Sequence, residues 1–254
     1  CVWSGTYTQF ERRFPMDSAL HFRNGLIEGF GRDTLGPYEI KGRYDLDGNH
    51  FEWNKRYTGK NHNHSVRYQG RWPDEFAMLA GGVRNALGAL AARIDHIGST
   101  AVPGLASKDV IDIQLTVESF DGFNRVSSRL SAVGYRLQDA MRHDHLPPGE
   151  GHRQDDYEKR YFREPKSKRH VHLHVRAEAR ANQRYAVLFR DYLRAHPPAA
   201  LAYAETKKRL QFYHNKQGDG SLYFEIKDPV CDMVMAPAED WAARVAWSMG
   251  ASDA

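Results

Sequence analysis

His96-Ile97-Gly98-Ser99-Thr100-Ala101-Val102-Pro103-Gly104-Leu105-Ala106-Ser107-Lys108-Asp109-Val110-Ile111-Asp112 is the stretch whose reading decides the fold. An apolar strand ends in a Gly-Ser turn, a loop follows, and a second strand opens at Val110. Gly98 lets the backbone come close to a ligand, and Ser99 adds a hydroxyl and an N–H, so the turn can form a nest for phosphate. Alternation along the second strand puts Ile111, Ile113, Leu115 and Val117 on one face. Val110, Asp112, Gln114 and Thr116 take the other. A carboxylate in the middle of a buried strand is costly unless it is paired or bound to a cation. Asp112 is therefore either a salt-bridge partner of Lys or Arg, or a metal or substrate ligand beside the turn.

Outward from this stretch the pattern alternates strand and helix. Pro73-Asp74-Glu75 reads as a helix start, since proline suits the first helical position and acids favour the N-terminus. Phe76, Leu79, Val83, Leu87 and Leu90 follow at helical spacing. Arg93 to Ile97 is a strand, and Phe123, Val126, Leu130 and Val133 mark a helix stopped by Gly134. Glu158 to Arg163 and His170 to Arg176 are strands. Asn182 to Ala195, Pro198 to Tyr213 and Ala238 to Trp247 are helices. On the strand His170 to Arg176, three histidines, His170, His172 and His174, share one face, where alternate imidazoles can converge on a metal, move protons near neutral pH, or simply be exposed. Met141 to Asp156 contains Pro147-Pro148-Gly149 and reads as a mobile loop, either solvated or able to close over a site. Lys207, Lys208 and Arg209 offer cations to phosphates or form a solvated helix face. Asp228 to Met233 resembles part of a small metal-binding motif whose further cysteines are absent.

Before Trp72 the sequence has another character. Trp3 to Phe10, Ala19 to Arg23, Leu26 to Gly31, Tyr38 to Asp45, Phe51 to Thr58 and Ser65 to Trp72 read as strands. Asn24-Gly25, Gly36-Pro37 and Asp47-Gly48 read as turns between them. The expected result is an antiparallel meander or a small barrel. Gly5-Thr6-Tyr7, Gly42-Arg43-Tyr44 and Gly70-Arg71-Trp72 pair a glycine with an aromatic on one strand face, for packing or for a ligand-binding lining. The expected division is an all-β domain over 1–72 and an α/β or α+β domain over 73–254.

With 254 residues, 41% apolar and 27% charged, the chain reads as a soluble globular protein of one large domain or two modest ones. No run approaches the roughly 20 apolar residues of a membrane span. Two cysteines are too few for a disulfide framework, which fits a cytoplasmic location. The first residue is Cys1 rather than Met, which also fits a truncated start or a mature lipoprotein. A net charge of +4 fits an anionic ligand, and no stacking-and-basic constellation favours nucleic acid.

The run His96 to Lys108 leading to Ile111-Asp112-Ile113 resembles the signature of the GrpB family, as does His170-Val171-His172-Leu173-His174-Val175. Phe189-Arg190-Asp191-Tyr192-Leu193-Arg194, and Tyr203 with Lys207, resemble its helical C-terminal part, so the similarity runs over about residues 80–225. The resemblance implies a fold of the DNA polymerase beta nucleotidyltransferase superfamily. There a Gly-Ser turn holds a nucleoside triphosphate, and paired acids on the next strand plus a third carboxylate bind two magnesium ions. Two residues after Asp112 stands neutral Gln114, and His172 and His174 lie on the strand where the third carboxylate would sit.

The resulting expectation is a nucleotidyltransferase-type enzyme acting on a small molecule with a nucleoside triphosphate and a divalent metal, Mg2+. Asp112, His172 and His174 are the candidate catalytic residues, with Asp112 and His172 as metal ligands. Gly98, Ser99, His96, Lys108, Arg160, Tyr203 and Lys207 are the candidate substrate contacts. The alternative is a non-catalytic nucleotide- or metabolite-binding module with the N-terminal β domain as a ligand- or partner-binding unit. Unchanged ligand specificity after deletion of residues 1–72 would count against that role for the β domain.

Overall fold

The structure is a computed structural model and describes residues 2–9, 12–23, 26–33, 36–44, 51–58, 65–70, 72–165, 169–217 and 221–254. Six strands form the first sheet: β1 (Val2–Gln9), β2 (Arg12–Arg23), β3 (Leu26–Asp33), β4 (Gly36–Tyr44), β5 (Phe51–Tyr57) and β6 (Ser65–Gly70). Each pairs antiparallel with the next, so the expected meander is present. Among the described residues no ladder joins β1 to β6, and the barrel alternative is not borne out. Ile27, Tyr38, Ile40 and Lys55 are buried, whereas Leu26 and Phe30 are exposed, the alternation of a sheet with one covered face. Gly36-Pro37 does not make a turn, because Gly36 already pairs with Asp33 and Pro37 with Arg32. A proline near a strand start gives up only one ladder donor. Gly70 ends β6 while Trp72 begins the following helix, so that glycine–aromatic pair does not share a strand. The side chains of Tyr7 and Tyr44, and the turns at Asn24-Gly25 and Asp47-Gly48, lie outside the described residues.

The second part of the chain is α+β. Its elements are α1 (Trp72–Leu87), β7 (Arg93–Ile97), β8 (Ile111–Val117), α2 (Phe123–Ala132), β9 (Arg136–Leu137), β10 (Arg160–Arg163), β11 (Val171–Ala177), α3 (Ala181–Ala195), α4 (Pro197–Gln217) and α5 (Ser221–Arg244). The strands form a mixed sheet in the order β7-β8-β11-β10-β9, with β8 and β11 parallel and the other neighbours antiparallel.

Strand alternation decides which side becomes core. Ile111, Ile113, Leu115 and Val117 of β8, with Val171, Leu173 and Val175 of β11, pack against Phe76, Ala80, Val83 and Leu87 of α1 and Val126 and Leu130 of α2. Each such side chain contributes about 1.5–3 kcal/mol when fully buried. A second core joins α3, α4 and α5 through Leu188, Leu193, Tyr203, Ala204, Met235 and Ala238. Gly134 has φ +92°, the left-handed stop expected after α2.

One expectation needs correction. The last helix starts at Ser221 rather than Ala238, with Pro229 and Pro237 inside it. Those prolines read as breakers in sequence. The segment 141–156 is mostly exposed and is anchored at Asp144, which accepts hydrogen bonds from Lys159, Arg176 and Asn182, and at His145, which pairs with Asp232 of α5 at 2.8 Å. Ser252, Asp253 and Ala254 bond to Ile94 and cover the outer side of β7, where an open strand edge would otherwise invite pairing. No described helix is long and apolar enough to cross a membrane.

Candidate functional site

The parallel pairing of β8 with β11 brings the polar faces of two strands into register. His172 lies opposite Asp112 and His174 opposite Gln114. His172 Nδ1 is 2.9 Å from Asp112 Oδ1, and His174 Nε2 is 3.8 Å from the same oxygen. The third histidine of the row, His170, instead reaches Glu164 at 3.2 Å and the Arg163 guanidinium at 3.0 Å. The Gly-Ser turn folds directly over Asp112. Gly98 has φ +73°, and a Cβ built there would lie 2.9 Å from both Cβ and Cγ of Asp112. Only glycine admits this approach, so the residue is needed by geometry.

Burial alone would push the Asp112 carboxyl up, but hydrogen bonding to His172 and then His174 reverses this and holds it well below the usual carboxylate range. Burial pushes the His174 imidazole down to about 4, so it is neutral at pH 7, with one ring nitrogen an acceptor and the other an N–H donor.

Gln114 is not a free ligand. Its Oε1 accepts from Arg176 Nη1 at 2.6 Å and its Nε2 donates to the Gln183 carbonyl at 3.0 Å. The nearby acid Asp144 is likewise saturated by Lys159, Arg176 and Asn182 at 2.8–3.0 Å. Magnesium favours six oxygens in an octahedron. One carboxylate and two imidazoles fit that ion poorly, and the second acid of a two-magnesium site has no counterpart on this strand.

Facing the trio is a wall of helices. Lys207 of α4 donates to Ser99 Oγ at 2.6 Å and to the Ala106 carbonyl at 3.0 Å. Burial, then the charge of Lys227, push its ammonium down to about 7. Lys108 stands over the Tyr223 ring at 4.7 Å and is also lowered, first by burial. Tyr203 crosses Phe189 at 5.3 Å and sets its hydroxyl 3.6 Å from Cys231 Sγ. Between wall and strands lies a cleft of about 480 Å³. It has lysines and aromatics on one side and the Asp112 trio on the other, an arrangement suited to an anionic ligand with an apolar body.

The GrpB family, described as GrpB protein, matches residues 64–236. The chain belongs to the GrpB family. This GrpB chain is similar to a Mycolicibacterium paratuberculosis protein named dephospho-CoA kinase, 31% identical over 218 residues that cover 77% of this chain and 53% of that one. It thus spans about half the length of that relative. A UPF0157 protein of Halalkalibacterium halodurans is 32% identical over 176 residues, covering 66% of this chain and 83% of that one. The crystal structure of GrpB from Enterococcus faecalis superposes with a TM-score of 0.55 at 26% identity, covering 68% of this chain and 97% of that one.

In this GrpB chain, Gly98, Ser99, Lys108, Asp112, His172, His174, Tyr203 and Lys207 all line one cleft. Two candidates are placed elsewhere. His96 is 4% exposed, stacks on Phe76 at 4.6 Å and bonds Thr100 at 3.0 Å, which makes it a core residue. Arg160 packs over Phe120 at 4.5 Å and pairs with Glu158 at 2.7 Å, away from the cleft. Asp109 holds the loop to α1 by accepting from Trp72 Nε1 at 3.0 Å and from Arg169. Sequence reading missed Tyr157, Tyr185, Asp144 and Lys227 as cleft residues. It also set aside the Asp228 to Met233 motif, of which Asp228 and Cys231 line the cleft. The usable signal was the i, i+4 spacing of Tyr223, Lys227 and Cys231, which puts them on one helix face.

Proposed function

We propose that this cleft binds a nucleoside triphosphate and transfers its nucleotidyl group to a small-molecule acceptor, the acceptor bond to the α-phosphorus replacing the α–β anhydride and pyrophosphate leaving. The observation that carries the reading is the joint placement of Ser99, Lys207 and Asp112 around Gly98. Ser99 and Lys207 hold phosphate oxygens, and Lys108 and Lys227 balance their charge. Tyr185, Phe189 and Tyr203 pack on the apolar part of the ligand. A cation beside Asp112 supplies further phosphate neutralisation when bound. The kinase name of the mycobacterial relative belongs to a protein about twice as long in the aligned sense. No Gly-x4-Gly-Lys-Ser/Thr phosphate loop occurs in the present sequence. We also take residues 1–72 and 73–254 as separate units, on the support of two sheets that share no strand.

A thermal-shift titration tests the ligand class. At about 100 times its Kd, a triphosphate that binds only the native state adds about 2.7 kcal/mol. The melting temperature should therefore rise by several degrees for wild type and not for Lys207→Met or Asp112→Ala. No rise with any nucleoside triphosphate, whatever divalent ion is supplied, would overturn the proposal.

The wall also sets a pH dependence. Lys207 is charged below about pH 7 and neutral above it. Its ammonium favours an anion only in the charged form, so its share of phosphate affinity falls as pH rises through that value. The expected result is a wild-type to Lys207→Met affinity ratio for inorganic triphosphate that shrinks between about pH 6 and pH 8. A constant ratio would show that Lys207 does not act through its charge.

A second reading, binding without turnover, draws on Gln114. Its amide is committed to Arg176 and Gln183, leaving one carboxylate where two are expected. Pyrophosphate release separates the readings, since a binder raises the melting temperature and releases none.

A further inference from the structure

The donor chemistry of the trio Asp112, His172 and His174 carries more than the presence of a cation. We propose that these three residues form a site for one zinc-class divalent ion per chain, with at least one coordination position open to water or to a ligand oxygen. This deepens the cation reading of the same cleft and rests on it only for the identity of the incoming ligand.

The geometry is that of a small nitrogen–oxygen centre. The ligand atoms of the trio all lie within 4.8 Å of one another. Donors about 2.0–2.1 Å from a tetrahedral ion sit roughly 3.3 Å apart. The separations of 2.9 Å and 3.8 Å from Asp112 Oδ1 to the two histidines bracket that value, so side-chain rotation suffices to close the shell. The parallel ladder between β8 and β11 fixes the backbone that carries all three. The side chains are 24%, 30% and 17% exposed, which leaves an approach from the cleft for an ion and a fourth ligand.

Chemistry then selects the ion. Imidazole nitrogen suits zinc, iron, nickel and copper, whereas magnesium is held by oxygens. Asp144 is filled by four hydrogen bonds from Lys159, Arg176 and Asn182, and Gln114 offers a neutral amide oxygen already bonded to Arg176 where a second ion would need a carboxylate. Two neutral imidazoles and one carboxylate leave a divalent ion with a net charge of about +1, which attracts an anionic group into the open position.

Cobalt(II) titration of the purified 254-residue chain, followed by visible absorption and by competition with zinc, tests the proposal without any nucleotide. The expected result is one cobalt per chain with the intense visible bands of a low-coordinate nitrogen–oxygen site, bleached by an equivalent of zinc and unaffected by millimolar magnesium. His174→Ala, His172→Ala and Asp112→Asn should each weaken cobalt binding by at least tenfold, and Ser99→Ala should not. Circular dichroism checks that each variant is folded, and for any that is not, zinc protection of wild type from thermal unfolding gives the second readout. Magnesium displacing cobalt, two equivalents at the trio, or histidine variants with unchanged affinity would overturn the site. Because no nucleotide is present, tight zinc binding with no triphosphate shift would sink the proposed nucleotidyl transfer and leave this inference standing.

Discussion

Gly98→Ala should lower stability by on the order of 3 kcal/mol and remove ligand binding at the same time. Two effects act on one atom. The backbone at Gly98 has φ +73° and ψ −169°, a region essentially reserved for glycine and costing other residues about 1–3 kcal/mol. The added methyl would also sit 2.9 Å from Cβ and Cγ of Asp112 and press on its carboxylate oxygen. β8 cannot yield, because Ile111 and Ile113 on its other face are fully buried. In urea, with a slope of about 2 kcal/mol/M, the midpoint falls by roughly 1.5 M. A double-mutant cycle separates the causes. In an Asp112→Ala background the collision shrinks while the backbone cost remains, so Gly98→Ala should cost less there by about 1 kcal/mol or more. Equal costs in both backgrounds would show that the close approach to Asp112 is irrelevant.

The second large effect is expected at Asp144, a residue outside the resemblance-bearing motifs. Its carboxylate accepts from Lys159 Nζ at 2.8 Å, Arg176 Nε at 2.8 Å, Arg176 Nη2 at 3.0 Å and Asn182 Nδ2 at 3.0 Å. Asp144→Ala leaves the Arg176 side chain, only 7% exposed, with its charge uncompensated on that side. Removing one partner of such a pair costs about 3–5 kcal/mol. Burial by itself would raise the Asp144 carboxyl, but Arg176 and then Lys159 outweigh it and hold the group far below the usual range. The folded-state value is therefore depressed relative to about 3.9 in the unfolded chain. The stabilisation is present above that pH and is lost as pH falls below it toward the folded value. Acid titration of stability should accordingly be steeper for wild type than for Asp144→Ala below about pH 4. A loss under about 1 kcal/mol with an unchanged acid slope would show that the network does not hold the loop 141–156. Since Arg176 also orients Gln114, and both Asp144 and Arg176 act on the charge of His174, the same variant should disturb the polar face of β8 and the His174 imidazole beside it.

The chain by itself carries the local pattern. Period-two alternation in Ile111 to Val117 and in Val171 to Ala177 places the apolar faces in one core and the polar faces together, as the buried residues confirm. Gly98, Ser99 and Asp112 are close in sequence and joined by a short loop, so their meeting was legible. That His172 and His174 share a strand face was legible too, because alternation is a local property of the backbone.

Tertiary structure decided which partners those faces met. Only the parallel register of β8 against β11 sets His172 opposite Asp112, and no local rule specifies a register between strands about 60 residues apart. Only helix packing carries Lys207 to Ser99 and sends Arg176 to Gln114 and Asp144. His96 and Arg160 looked like site residues because they neighbour the motif or are cationic. Packing against Phe76 and Phe120 places both outside the cleft. Local sequence thus determined the strands, the glycine turn and the face each side chain takes, since these follow from backbone sterics and periodicity. Long-range packing alone decided that Asp112 meets imidazoles, that Asp144 meets Lys159 and Arg176, and where the lysines stand, since those depend on contacts between segments far apart in the chain.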